Sequence, residues 1–197
     1  MNLLELQEEV FKYTVRPDLG ALTISAIQAA TLKAHKIDFF PRDLYETILS
    51  ISGTPFEIGI DIETNLPRFR AVKFARDWDN TTLDAGPYYT IIDPVNLIDS
   101  YNVKENFVAY LSGGELKFKS PSKAITHIQL SYYREPIITN PGYYSWVAEH
   151  HPFCIVYEAT AVIFRGIGKM DEFRAYREMV GEEYMMLRQN NILAMGY

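Results

Sequence analysis

The hydrophobic period of this chain changes twice. Near both ends apolar residues recur every three or four positions; between those ends they recur every second position. A chain with both periods is neither all-helical nor all-strand. The pattern predicts an α+β protein, with N- and C-terminal helices packed as a bundle and a β-rich antiparallel middle region. The predicted boundaries are 1–41 for the first helices, 42–136 for the β-rich region, and 137–197 for the C-terminal helices and tail. The helices of the first and last segments are expected to form one domain.

In the first segment Leu3, Leu6, Val10 and Phe11 share one helical face, and Asn2 with Glu5 can cap it. Val15-Arg16-Pro17 ends this helix, because the residue before proline avoids α geometry. Asp18 is expected to cap a second helix carrying Ile24, Ile27, Ala30 and Ala34. In the middle, strands are predicted at Leu44–Ile51, Phe56–Ile62, Arg68–Arg76 and His127–Arg134. A short helical turn is expected from Asp93-Pro94 through Leu97 and Ile98, with the proline at its first position. Residues 107–111 and 115–119 flank Ser112-Gly113-Gly114, a hairpin signal. The last segment holds a helix from Phe153 to Arg165 that is apolar nearly all round, so it is expected to be buried on most sides. Gly166-Ile167-Gly168 breaks it. A long helix follows from Met170 to Leu193, with Phe173, Tyr176, Val180, Tyr184 and Leu187 on one face.

A chain of 197 residues is long enough to bury a core without disulfides or metals. Its net charge of −6 argues against nucleic acid held tightly on an external basic surface. The single cysteine, Cys154, cannot form an internal disulfide, and the start of the sequence turns acidic where a signal peptide would be basic. No stretch reaches the ~20 apolar residues of a membrane span. These features predict a protein made in cytoplasm with no membrane partner. The many aromatic residues, among them 14 Tyr, suit subunit interfaces as well as cores.

Few residues invite chemistry, and no cofactor is expected. Gly113-Gly114 lacks the Lys-Ser or Lys-Thr of a phosphate loop. Asp77 to Asp84 has the spacing of a calcium loop but carries Thr82 and Tyr88 where glycine and glutamate are required. His150 and His151 point apart on a helix, so a capping role before Pro152 is expected of them rather than a metal site. His35 ends a helix where a cation suits the dipole, and His127 opens a strand. Cys154 is expected to be an inert buried thiol. Glu158, set among apolar neighbours, would be a raised-pKa acid, the partner of an arginine such as Arg165, Arg174 or Arg177, or exposed on the helix's one polar stripe. No catalytic or metal residues are therefore assigned.

Several segments, in order, carry a resemblance. They are Ala29-Ala30-Thr31-Leu32-Lys33-Ala34-His35, Asp38-Phe39-Phe40-Pro41-Arg42-Asp43, Pro67-Arg68-Phe69-Arg70, Leu130-Ser131-Tyr132-Tyr133-Arg134-Glu135-Pro136, Trp146-Val147, His151-Pro152 and Tyr157-Glu158-Ala159 with the tail helix. Together they resemble tailed-bacteriophage head-to-tail adaptor proteins, the neck or head-completion connectors. The resemblance spans most of the chain and rests on packing motifs; the stretch from Asp77 to Tyr89 has no counterpart in it. It implies a structural, non-enzymatic virion protein, a homo-oligomeric ring, usually a dodecamer. Its partners would be the portal protein and a tail nozzle or tail tube protein. Packaged DNA would pass through the ring's channel without specific binding. Competing readings are a tail-terminator or tail-tube ring, which a β-dominated architecture would favour, and a virion-associated cell-wall hydrolase using Glu158. Such a hydrolase needs a second carboxylate in the same cleft, and the sequence shows none. The apolar residues Ile192, Leu193, Met195 and Tyr197 would either fold back onto the helices or, as the resemblance implies, form a C-terminal arm that orders on the portal.

Overall fold

The computed structural model of the protein describes residues 1–53, 56–93, 107–121 and 124–195, with side chains through Asn191. The chain is mixed α+β and divides into two compact units, one of residues 1–43 and 135–197, the other of residues 44–134.

The first unit is helical. Helix α1 (Leu3–Thr14) starts with a complete capping box: the Asn2 side chain accepts from the Glu5 N–H, and the Glu5 carboxylate accepts from the Asn2 N–H. It ends where Val15 turns left-handed, at φ 54°, ahead of Arg16-Pro17. Asp18 does not cap the next helix. It lies in a 3₁₀ turn (Pro17–Leu19) and takes two hydrogen bonds from Arg16, at 2.8 and 2.7 Å. A guanidinium two residues away offers two charged donors where an N-terminus offers one neutral donor. Helix α2 (Gly20–Lys36) therefore begins without a side-chain cap.

Two helices succeed one another almost without a break, α4 (Trp146–His150) and α5 (Pro152–Gly166). Cys154, Ile155, Val156, Glu158, Ala159, Thr160, Ala161, Ile163 and Phe164 of α5 are all buried. Helices α1, α2, α4 and α6 (Met170–Met195) each pack against α5. One core results, built on Leu6, Val10, Ile27, Ala34, Ile155, Ile163 and Leu187. On α6, Val180 and Leu187 are buried, while Tyr176 is half-buried in a ring cluster with Tyr13, Tyr157 and Phe164.

Among the described residues the second unit has two four-stranded sheets and a short helix. Strands are β1 (Leu44–Ser50), β2 (Glu57–Asp61), β3 (Phe69–Asp79), β4 (Asp84–Tyr88), β5 (Thr90–Ile91), β6 (Val108–Ser112), β7 (Glu115–Lys119) and β8 (His127–Arg134); helix α3 is Ile62–Asn65. One sheet runs β1-β8-β3-β4 and the other β2-β7-β6-β5. Every pairing is antiparallel except β5 with β6, which is parallel and corrects the wholly antiparallel expectation. Strand β5 is only two residues long, so the parallel pair needs little register. Both sheets contribute to one core: Ala75, Ile128, Leu130 and Tyr132 from the first, Ile60, Ala109, Leu116 and Phe118 from the second. Gly113 and Gly114 make the β6–β7 turn at φ 62° and 84°, conformations that β-carbons disfavour. The expected helical turn beyond Asp93, at 94–98, lies outside the described residues.

Leu187→Ala removes a fully buried side chain and is expected to cost about 2–5 kcal/mol of unfolding free energy. Tyr176→Ala, half in solvent, should cost less, about 1–3 kcal/mol. Denaturant unfolding of the two variants measures the order; equal losses would contradict this packing.

Candidate functional site

Glu158 sits on α5 with only 6% of its surface exposed. Lys33 of α2 donates to Oε1 at 2.6 Å, and Arg177 of α6 donates to Oε2 at 2.6 Å. The Tyr184 hydroxyl reaches the same Oε2 at 3.5 Å. Burial first, and then this carboxylate, raise the Tyr184 phenol above its ordinary range. Of the three arginines the sequence offers, Arg177 makes the pair. Arg174 meets Asp171 on its own helix, and Arg165 lies over the Phe173 ring. The carboxylate thus ties three helices together through two cations.

A second buried network joins the start of the β-rich segment to α4. His35, at the end of α2, points its Nδ1 at Asp43, 2.8 and 3.0 Å from the two carboxylate oxygens. Its Nε2 is 2.9 Å from the Ser145 hydroxyl. A carboxylate only accepts, so Nδ1–H donates to Asp43, while Nε2 and the Ser145 hydroxyl share the other bond. The Trp146 indole N–H also donates to Asp43, at 2.7 Å. Acid, imidazole and hydroxyl stand in the order found in nucleophilic hydrolases. Here, however, Ser145 is 3% exposed and caps α4, its oxygen accepting the Ala148 N–H at 3.2 Å. The serine is held as a cap, and the network fixes Trp146.

Trp146 forms one wall of a pocket of about 430 Å³, lined also by Phe40, Arg42, His150, His151 and Leu187. Phe40 packs edge-on to the indole at 5.1 Å, and the Arg42 guanidinium lies 5.4 Å from its ring. His151 occupies the junction of α4 and α5, yet its side chain makes no capping bond. The expected capping role is therefore wrong for it: its backbone N–H closes α4 onto the Val147 carbonyl, and the imidazole faces the pocket instead. Burial first, then the neighbouring His150 and the Arg42 guanidinium, lower its pKa. None of the described residues lining the pocket is acidic.

Cys154 is buried, and burial with the nearby Glu183 carboxylate pushes its thiol up to about 12. The segment from Asp77 to Tyr88 forms the β3–β4 hairpin. At its tip the Asp79 carboxylate accepts from the backbone N–H groups of Thr81 and Thr82, at 2.8 and 3.3 Å. Leu83 follows at φ 57° with 67% of its surface exposed. The side chains of Ile192, Leu193 and Met195, and all of Tyr197, lie outside the described residues; the α6 backbone is helical through Met195. Among the described residues no group of acidic, histidine and cysteine side chains is placed to hold a metal, and no described helix is long and apolar enough to cross a membrane. No protein-family model matches the chain, and no curated protein is found to be similar to it.

The Ser145 network and the pocket escaped the sequence because they join residues a hundred positions or more apart. The usable signal was Ser145 directly before Trp146-Val147-Ala148-Glu149, a serine able to cap a helix with an acid in its first turn.

Glu158→Gln keeps the shape and removes the charge that Lys33 and Arg177 share. Both cations retain over 40% of their side-chain surface in solvent, so the cost should be about 1–3 kcal/mol rather than that of a dry ion pair. Thermal and denaturant unfolding measure it. With its pKa raised, the Cys154 thiol stays protonated at pH 8. Its reaction with a thiol-specific disulfide reagent should be slow, should rise about tenfold per pH unit from about 7 to 9 without a plateau, and should become fast once denaturant restores an ordinary thiol.

Proposed function

We propose that this chain is a structural virion protein, a head-to-tail adaptor forming a ring between the portal and the tail, with a channel for DNA. The observation that carries this reading is where the protein spends its polar and apolar groups. Buried ionisable side chains, Glu158, His35 and Asp43 among them, are engaged in bonds that join its own elements. Large apolar side chains meanwhile stay in solvent, among them Leu83 and Tyr88 on the hairpin and Met185 and Met186 on α6. Such a distribution suits a protein that works by contact. In this reading the helices of the two chain ends act as one bundle, and the chain has no catalytic role.

The ordered packing motifs from Ala29 to the tail helix support the adaptor specifically. So does the balance of structure: a unit made of five helices favours an adaptor over a tail-terminator or tail-tube ring, for which β-structure would dominate. An acidic chain of net charge −6 suits a channel through which phosphate backbones slide, because few counterions would be released on contact. The dodecameric ring, the tail nozzle or tube protein as neighbour, and the virion neck as location belong to the same proposal. Ile192, Leu193, Met195 and Tyr197 are its portal-binding arm. The arm begins after Asn191, which is buried and donates to Asp38 at 3.0 Å, so a clean truncation starts at residue 192.

Deleting residues 192–197 should shift the melting temperature by less than about 3 °C, since no described core contact is lost. It should abolish decoration of purified portal rings, seen by electron microscopy and co-sedimentation. Portal rings that bind the truncated and full-length chains equally would exclude the arm. A full-length protein that neither forms rings nor binds portals would exclude the adaptor.

A further inference from the structure

The β3–β4 hairpin and the Trp146 pocket are complementary in shape and charge. The hairpin tip presents one large apolar side chain, Leu83, with an acidic residue before and after it in Asp79 and Asp84. Residues 79–85 are all exposed. A leucine at positive φ is uncommon, because its β-carbon crowds the backbone there. The Asp79 turn bonds hold the tip in that conformation. Glycine or asparagine would satisfy the turn more easily, so the leucine answers to something other than local folding.

The pocket is the reverse image. Its apolar walls are Phe40, Trp146 and Leu187, and its rim carries Arg42, His150 and His151. The permanent charge among these three is the Arg42 guanidinium, which lies over the Trp146 ring. Asp43, beneath the indole, is buried and already engaged by His35 and Trp146. A volume of about 430 Å³ suits one or two side chains. On a chain of net charge −6, an arginine at the rim of an apolar hollow is a local reversal of sign.

We propose that the hairpin tip of one copy seats Leu83 in the Trp146 pocket of a second copy, with Asp79 and Asp84 against the Arg42, His150 and His151 rim. The two surfaces differ, so the contact is heterologous and propagates from copy to copy, closing into a ring where the rotation allows. This pairing supplies the contact that the adaptor reading needs and rests on that reading for ring closure only.

The test mixes two full-length single variants, L83C and H150C, under mild oxidation. Cys154 is buried and protonated, so it stays silent. Disulfide-linked heterodimers should form roughly tenfold faster than when L83C is mixed with K12C, a control on the exposed face of α1, because docking raises the effective concentration of the two thiols. Adding Arg42→Glu to the H150C chain should remove the advantage, and adding Asp84→Arg to the L83C chain should restore it. Equal rates with K12C, no loss with Arg42→Glu, or no rescue by Asp84→Arg would each overturn the pairing. The rate reads the contact itself, whereas particle size and portal binding read the adaptor. A ring without this crosslink therefore refutes the pairing and leaves the adaptor standing.

Discussion

Helix α5 can leave almost none of its surface in water. From Cys154 to Phe164 only Tyr157 and Val162 escape burial, so a single neighbour cannot cover it. The cover comes from α1 and α2, encoded more than a hundred residues earlier, and from α4 and α6 on either side. Burying α5 therefore obliges the two ends of the chain to fold together. Residues 44–134 become an excursion from that unit, and they can leave it only because they hold a core of their own. Glu158 is the acid in this apolar helix. Its two oxygens take Lys33 from one covering helix and Arg177 from another, which fixes the rotation of both about α5. Apolar contacts are non-directional; the ion pairs supply the direction.

The same logic orders the polar side of the unit. His35, Asp43, Ser145 and Trp146 come from the end of α2, the turn after it and the start of α4, and each donor among them has an acceptor. Such a chain is stable only when every member is present, because each unmade bond strands a buried partner. Its effect at the surface is to hold the indole still. The pocket wall is rigid because what lies behind it is polar and satisfied.

Local signals in the sequence carried far. The Asn2–Glu5 cap, the break at Val15, the face of α6 and the Gly113-Gly114 turn depend on residues within a few positions of one another, and each was legible. Three kinds of feature were not. Helix α4 is five residues long, too short for a period to register. Strand β4, Asp84-Ala85-Gly86-Pro87-Tyr88, has no alternation and contains both glycine and proline. Gly86 is there because a β-carbon would lie 2.6 Å from the Asp77 carboxylate. Long-range polar pairing was invisible as well: Arg177 was one of three arginines on offer to Glu158, and Lys33 was missed because it comes from 125 residues away. The pattern of hydrophobicity says which face is buried. It does not say which polar group waits on the other side.

Charge then limits where two such molecules can meet. At a net charge of −6, copies repel one another over most orientations, and an exposed leucine or methionine alone gives no preferred one. Selectivity requires a place where the local sign is opposite to the global one, since only there does approach gain rather than lose electrostatic energy. In the helical unit Arg42 at the mouth of the Trp146 pocket is one such place, and it borders an apolar hollow instead of a flat surface. Solubility and association are thereby separated in space. In the proposed pairing the excess negative charge disfavours most poses, and the Arg42 side of the aromatic pocket favours one.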